Sequence, residues 1–140
     1  MNEQRALLHS LTLPVRWGDM DALGHVNSAT YFTYMEQARV RWLESLGTKI
    51  AADVGEGPVI ANATCTFEQP IIYPANLEVH LYGGPPGRSS FESYYELRDA
   101  ARPDTVFAQG RARVVWVDYS TGRSAPLPAK IRKLLPAAKG

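Results

Sequence analysis

Between Trp17 and Asn27 the chain places two carboxylates (Asp19, Asp21), an imidazole (His25), an amide (Asn27) and two glycines (Gly18, Gly24) in one short stretch, just ahead of an expected helix start at Ser28. The first turn of a helix gathers unpaired backbone N–H groups and partial positive charge, which makes it a site for an anion, permanent or transient. A carboxylate held beside such donors can attack a carbonyl carbon, or direct water at it, while the donors take up the charge that develops on the carbonyl oxygen.

Each residue of the stretch also has a plainer reading. Asp21 is either the reacting carboxylate or a cap for the turn. Asp19, two positions earlier, shares a side with Asp21 if the backbone is extended, and repulsion then raises one carboxyl pKa; otherwise it bonds nearby backbone N–H groups as a turn former. His25 either orients Asp21, relays a proton or donates to the oxyanion, or else lines the turn with its ring nitrogens bonded to backbone. Asn27 contacts substrate or caps the helix. Elsewhere, His9 and His80 read as structural or solvated, Glu36 as a solvated or interface residue, and Cys65 as a buried, inert thiol.

The elements that must carry this stretch are read from periodicity. His9–Trp17 alternates as a strand, with Pro14 placing it at an edge or near its own start. Ser28–Leu46 is the one long helix: Phe32, Met35, Ala38, Trp42, Leu43 and Leu46 recur at helical spacing, joined by Ala29 and Tyr31, with Asn27 or Ser28 as N-cap and Gly47 as stop. Tyr31, Phe32 and Met35 are core by spacing, and an acyl channel would have the same pattern. After a loop at Lys49–Gly57 the period becomes two. Alternating runs lie at Val59–Glu68, Leu77–Tyr82, Phe91–Arg98 and Val106–Val117, with turns at Pro70–Pro74, Gly83–Gly87 and Ala101–Asp104. A strand, one helix and four strands joined by short turns define an α+β layer, with an antiparallel sheet against a single helix.

Composition narrows the function. With 140 residues, 45% hydrophobic, one domain spanning 1–140 is expected. Fifteen basic and fourteen acidic residues leave a net charge of +1, which argues against a nucleic-acid partner. The exception is a basic C-terminal tail, 121–140, where Arg123, Lys130, Arg132, Lys133 and Lys139 follow the last acid, Asp118; it reads as a solvated, partly frayed end or as a contact to a polyphosphate ligand. A single cysteine excludes an intrachain disulfide. No signal peptide, membrane span, metal-binding pattern, GxGxxG or P-loop is visible, so a soluble, cytoplasmic protein without cofactor or metal is expected.

Trp17–Asn27, followed by Tyr31 and Met35-Glu36-Gln37-Ala38-Arg39, resembles the hot-dog-fold acyl-CoA thioesterases, in particular the 4-hydroxybenzoyl-CoA thioesterase-like family. The resemblance implies a hot-dog fold, in which a five-stranded antiparallel sheet wraps one long helix, and a homodimer or homotetramer with active sites between subunits. It implies that Asp21 is the catalytic carboxylate and that the Ser28 backbone N–H holds the thioester oxygen. His25-Val26-Asn27 is similar to fatty-acyl thioesterases, which points to aliphatic acyl groups and adds His25 to the catalytic set. Asn27, Tyr31 and Arg88 are the expected substrate-binding residues; Arg88, in Gly87-Arg88-Ser89-Ser90-Phe91, stands where the family binds coenzyme A phosphates. Ala75-Asn76 replaces the usual Gly-Asp. The alternatives are an acyl-thioester binding module without catalysis and a hydratase of the same fold.

Overall fold

The computed structural model describes residues 4–48 and 55–137. Five strands, β1 (Ala6–Pro14), β2 (Glu56–Phe67), β3 (Asn76–Gly83), β4 (Ser90–Asp99) and β5 (Arg102–Asp118), form one antiparallel sheet in the order β1-β3-β4-β5-β2. Helix α1 (Ser28–Ser45) packs on one face. This is the hot-dog arrangement that the resemblance implies. A short helix, α2 (Ala129–Arg132), follows the last strand.

The inner face of the sheet follows the two-residue period. Leu77, Val79 and Leu81 of β3, Phe91, Ser93, Tyr95 and Leu97 of β4, and Ala108, Ala112, Val114 and Trp116 of β5 are all buried. They meet Tyr31, Tyr34, Met35, Ala38, Trp42 and Leu43 of α1. Gly110 sits at the point of closest approach: a Cβ there would lie 2.0 Å from the Met35 sulfur. The helix ends are fixed by sequence. Asn27 is the N-cap, its side-chain oxygen accepting from the Ala29 N–H at 2.8 Å. At the other end Gly47 takes φ +77°, Gly47 N–H donates to the Glu44 carbonyl and Thr48 N–H to the Leu43 carbonyl, the paired bonds of a Schellman stop.

The structure refines four of these readings. β1 runs from Ala6 to Pro14, not to Trp17; the Trp17–Asp19 segment coils into a 3₁₀ turn because Pro14 ends the ladder and the Asp19 carboxylate captures the Arg16 N–H at 3.0 Å. The loop expected at Lys49–Gly57 lies mostly outside the described residues, and β2 already begins at Glu56. β2 is an edge strand and most of it is exposed, including Val59, Ile60 and Phe67, because the helix covers the sheet from β3 outward and reaches β2 only thinly. The basic tail is not a frayed end through residue 137. Leu127, Ile131 and Leu135 are buried in the core, an i, i+4, i+8 stripe placed between the charges.

Candidate active site

The turn between β1 and α1 is closed by its own backbone. Asp21 N–H donates to the His25 carbonyl at 2.9 Å and Gly24 N–H to the Asp21 carbonyl at 3.0 Å. Gly24 has φ +81°, a conformation that a side chain resists. Outside this loop Met20 and Val26 pair as a bridge. Val26 N–H donates to the Ile71 carbonyl at 2.8 Å and Asn27 N–H to the Asp19 carbonyl at 3.0 Å. The chemistry-bearing stretch is therefore pinned both to its own start and to the β2–β3 connection.

These bonds open a cleft of about 340 Å³ at the N-terminal end of α1. One wall is Asp21, Leu23, His25, Val26, Ser28 and Tyr31; the other is Phe67, Glu68, Gln69 and Pro70. Asp21 is exposed, and its Oδ1 accepts from the Leu23 N–H at 2.9 Å. Among the described residues no donor bonds its second oxygen, and no acceptor takes the Ser28 N–H. The turn-capping reading of Asp21 therefore describes one oxygen and leaves the other available. The His25 ring lies on the cleft without a hydrogen bond among the described residues. The Tyr31 ring packs edge-on against Phe67 with centroids 4.8 Å apart, and burial pushes its phenol above the ordinary value.

Of the expected site residues, then, Asp21, His25, Ser28 and Tyr31 share one cleft. Asn27 is adjacent but spends its side chain on the helix cap. Arg88 is elsewhere: its Nη1 donates to Ser124 Oγ at 3.3 Å, and Arg132 Nη2 donates to the Gly87 and Arg88 carbonyls at 2.9 Å each. Lys130, from the same short helix as Arg132, reaches the Leu46 carbonyl at 3.4 Å, so this basic group sits toward the far end of α1. Met35 is core, and Phe32 and Glu36 line a separate groove against Ile60 and Ala63.

Glu68, Gln69 and Pro70 were not among the expected site residues. The bend at Pro70 is readable from sequence, but its folding over the Asp21 turn rests on the long-range Val26–Ile71 bond. Asp19 does not form a like-charge pair with Asp21. It is 5% exposed and turns away from the cleft. Burial pushes its carboxyl up, but the Arg16 backbone N–H, the Tyr34 hydroxyl and the Arg16 guanidinium together outweigh burial and hold it below the usual carboxylate value. Cys65 is half-buried beside this wall, and burial pushes its thiol up to about 11. The described residues contain no group of three His, Cys, Asp or Glu side chains that could hold a metal, and no helix long and apolar enough to cross a membrane.

One long helix against a five-stranded antiparallel sheet is the hot-dog fold. The chain belongs to the thioesterase-like superfamily, whose family model matches residues 15–135. It is similar to a candidate thioesterase from Pseudomonas aeruginosa of known structure, with 42% identity and a TM-score of 0.87 over 91% of this chain and 97% of that one. A candidate acyl-CoA thioesterase from Xanthomonas campestris is 30% identical, with a TM-score of 0.77 over 86% of this chain and 99% of that one. A 1,4-dihydroxy-2-naphthoyl-CoA thioesterase from Synechocystis shares the fold, with 20% identity and a TM-score of 0.82 over 94% and 96% of the two chains.

Proposed function

We propose that the protein hydrolyses acyl-CoA thioesters in the cleft at the start of α1, releasing a carboxylic acid and coenzyme A. The observation that carries this is the presence on one cleft of an Asp21 oxygen and a Ser28 N–H that have no hydrogen-bond partner among the described residues. The thioester oxygen accepts from the Ser28 N–H, which stabilises the charge it gains as the carbonyl carbon becomes tetrahedral. Asp21 acts at that carbon in one of two ways. It attacks to form an anhydride that water then opens, or it takes a proton from the attacking water. In the first route the C–S bond breaks as the anhydride forms, the thiolate takes up a proton, and water then opens the anhydride to release the acid and restore the Asp21 carboxylate; in the second, the water oxygen adds to the carbon, the C–S bond breaks, and the proton taken up by Asp21 passes to the departing thiolate. His25 relays that proton from the same wall.

Leu23, Val26, Tyr31, Phe67 and Pro70 give the acyl group an apolar bed, which suits aliphatic chains. The Tyr31–Phe67 ring pair favours a second reading, an aromatic acyl group, the kind acted on by the Synechocystis protein. Asn27 serves substrate indirectly, by holding the helix start. Arg88 stands near the far end of an 18-residue helix, a span of about 27 Å, so we assign it to the coenzyme A phosphates of a second copy's cleft. An assembly of two or four copies accords with β2, a 12-residue strand at the sheet edge that pairs only with β5 among the described strands and exposes apolar side chains. The lone, unpaired Cys65 accords with a reducing, cytoplasmic setting.

The test is thiol release from a panel of aliphatic and aromatic acyl-CoAs. Asp21→Asn should lower kcat at least ~100-fold while the thermal unfolding midpoint and oligomer size stay as in the wild type. Near-normal turnover by Asp21→Asn would show that the carboxylate is wrongly assigned, and binding without thiol release by the wild type would show a module that only holds thioesters.

A further inference from the structure

Asp19 is the one charged side chain buried among the described residues, and it lies outside the cleft. Its Oδ2 accepts from the Arg16 backbone N–H at 3.0 Å and from the Tyr34 hydroxyl at 2.8 Å, while Oδ1 accepts from Arg16 Nε and Nη2 at 3.3 and 3.1 Å. Its main-chain carbonyl accepts from the Asn27 N–H at 3.0 Å. This single residue is therefore bonded to the chain before the Asp21 turn, to the N-cap after it, and to the second turn of α1. Arg16 is mostly exposed, so its ion pair is weak; the Tyr34 hydroxyl is the buried tie, joining residues 15 positions apart.

From this geometry we infer that Asp19, through Tyr34, is a positioning residue that sets where Asp21 stands relative to the Ser28 N–H. Met20 alone separates Asp19 from Asp21, and Asn27 immediately precedes Ser28, so both reacting groups hang from the atoms that Asp19 fixes. Displacement of a reacting group by about an ångström can cost ~100-fold in rate. The inference rests on the hydrolase reading above, and its test separates the two.

Asp19→Asn and Tyr34→Phe are assayed with the best acyl-CoA of the panel, singly and in the Asp21→Asn background. Each single variant should lower kcat by ~10-fold or more with KM within about twofold, in protein that keeps wild-type circular dichroism and oligomer size at the assay temperature. In the Asp21→Asn background each should lower the residual rate by clearly less than in the wild type, because there is no longer a carboxylate to aim. Equal losses in both backgrounds, or a lower unfolding midpoint with unchanged kcat, would overturn the inference and leave Asp19 a purely structural residue. Tyr34→Phe deletes only one oxygen and decides the matter if Asp19→Asn does not fold. A wild type that binds acyl-CoA without releasing thiol sinks the hydrolase reading itself, a fully active Asp21→Asn sinks the assignment of that carboxylate and the positioning role with it, and a fully active Asp19→Asn beside an inactive Asp21→Asn sinks only the positioning role.

Discussion

The role given to the Ser28 N–H can be tested by removing that one hydrogen. Ser28 is the first residue of α1, preceded by Asn27 at φ −58° and ψ 135°. Proline is well suited to the first helical position, where the N–H has no partner within the helix, and it wants a preceding residue with ψ of about +120 to +160°, which Asn27 already satisfies. No acceptor among the described residues takes the Ser28 N–H, so Ser28→Pro deletes no hydrogen bond of the fold. It deletes only the donor proposed to meet the developing oxyanion, a loss worth ~100- to 1,000-fold in kcat, or about 2.7–4 kcal/mol. Because the charge appears in the transition state, kcat should fall and KM should stay within about threefold. Ser28→Ala is the control: it removes the hydroxyl, keeps the N–H and should stay within about threefold of wild type. The assay is thiol release under saturating and limiting acyl-CoA, beside thermal unfolding to show that the helix is intact. A Ser28→Pro protein with near-wild-type kcat, or a Ser28→Ala protein as impaired as Ser28→Pro, would refute the oxyanion assignment.

Gly110→Ala should destabilise the fold by about 1–3 kcal/mol, because the new methyl would lie 2.0 Å from the Met35 sulfur against a comfortable carbon contact of about 3.5–4 Å. Denaturant unfolding measures it, and Met35→Ala in the same chain should recover part of the loss; strict additivity would show that the two sites do not meet. Cys65, with its thiol pushed up to about 11 by burial, should be roughly one-thousandth thiolate at pH 8, so a disulfide reagent should label native protein at least ~100-fold more slowly than denatured protein. Asp19, whose carboxyl is lower in the folded chain than its ordinary 3.8, stabilises the fold fully above that value and loses its contribution as pH falls through the folded one. Wild-type stability should therefore drop more steeply than that of Asp19→Asn below about pH 4, as read from urea midpoints.

The residues proposed to carry the chemistry were readable because the stretch is local. A carboxylate, glycines that tolerate a tight turn and a helix cap stand within eleven positions, and the N-cap and the Gly47 stop obey rules that act within one turn of helix. The inner rows of β3, β4 and β5 were readable for the same reason, since a strand buried on one face alternates. β2 alternates too, yet stands at the edge, because period alone does not say how far a neighbouring helix reaches. Tyr34 falls on the buried stripe with Tyr31, Ala38 and Trp42, but helical spacing does not distinguish it from Phe32, which is only half-buried. The partner that draws Tyr34 inward is the Asp19 carboxylate 15 positions earlier.

What local rules do not reach is the opposing wall of the cleft. Phe67, Glu68, Gln69 and Pro70 enter because β2 pairs with β5 as far as Phe67, the Glu68 and Gln69 N–H groups both donate to the Phe107 carbonyl, and Val26 donates to the Ile71 carbonyl. Each of these bonds spans about 40 positions or more, and the order of strands in the sheet sets them. The turn supplies reactive groups, and the sheet decides what faces them. On the proposed function, acyl preference in this chain is therefore set through positions 67–70, where the wall is built from side chains that the turn does not specify. Within this chain, substrate range should be altered at Phe67 and Glu68 and turnover at Asp21 and Ser28, a division that follows from which bonds hold each wall in place.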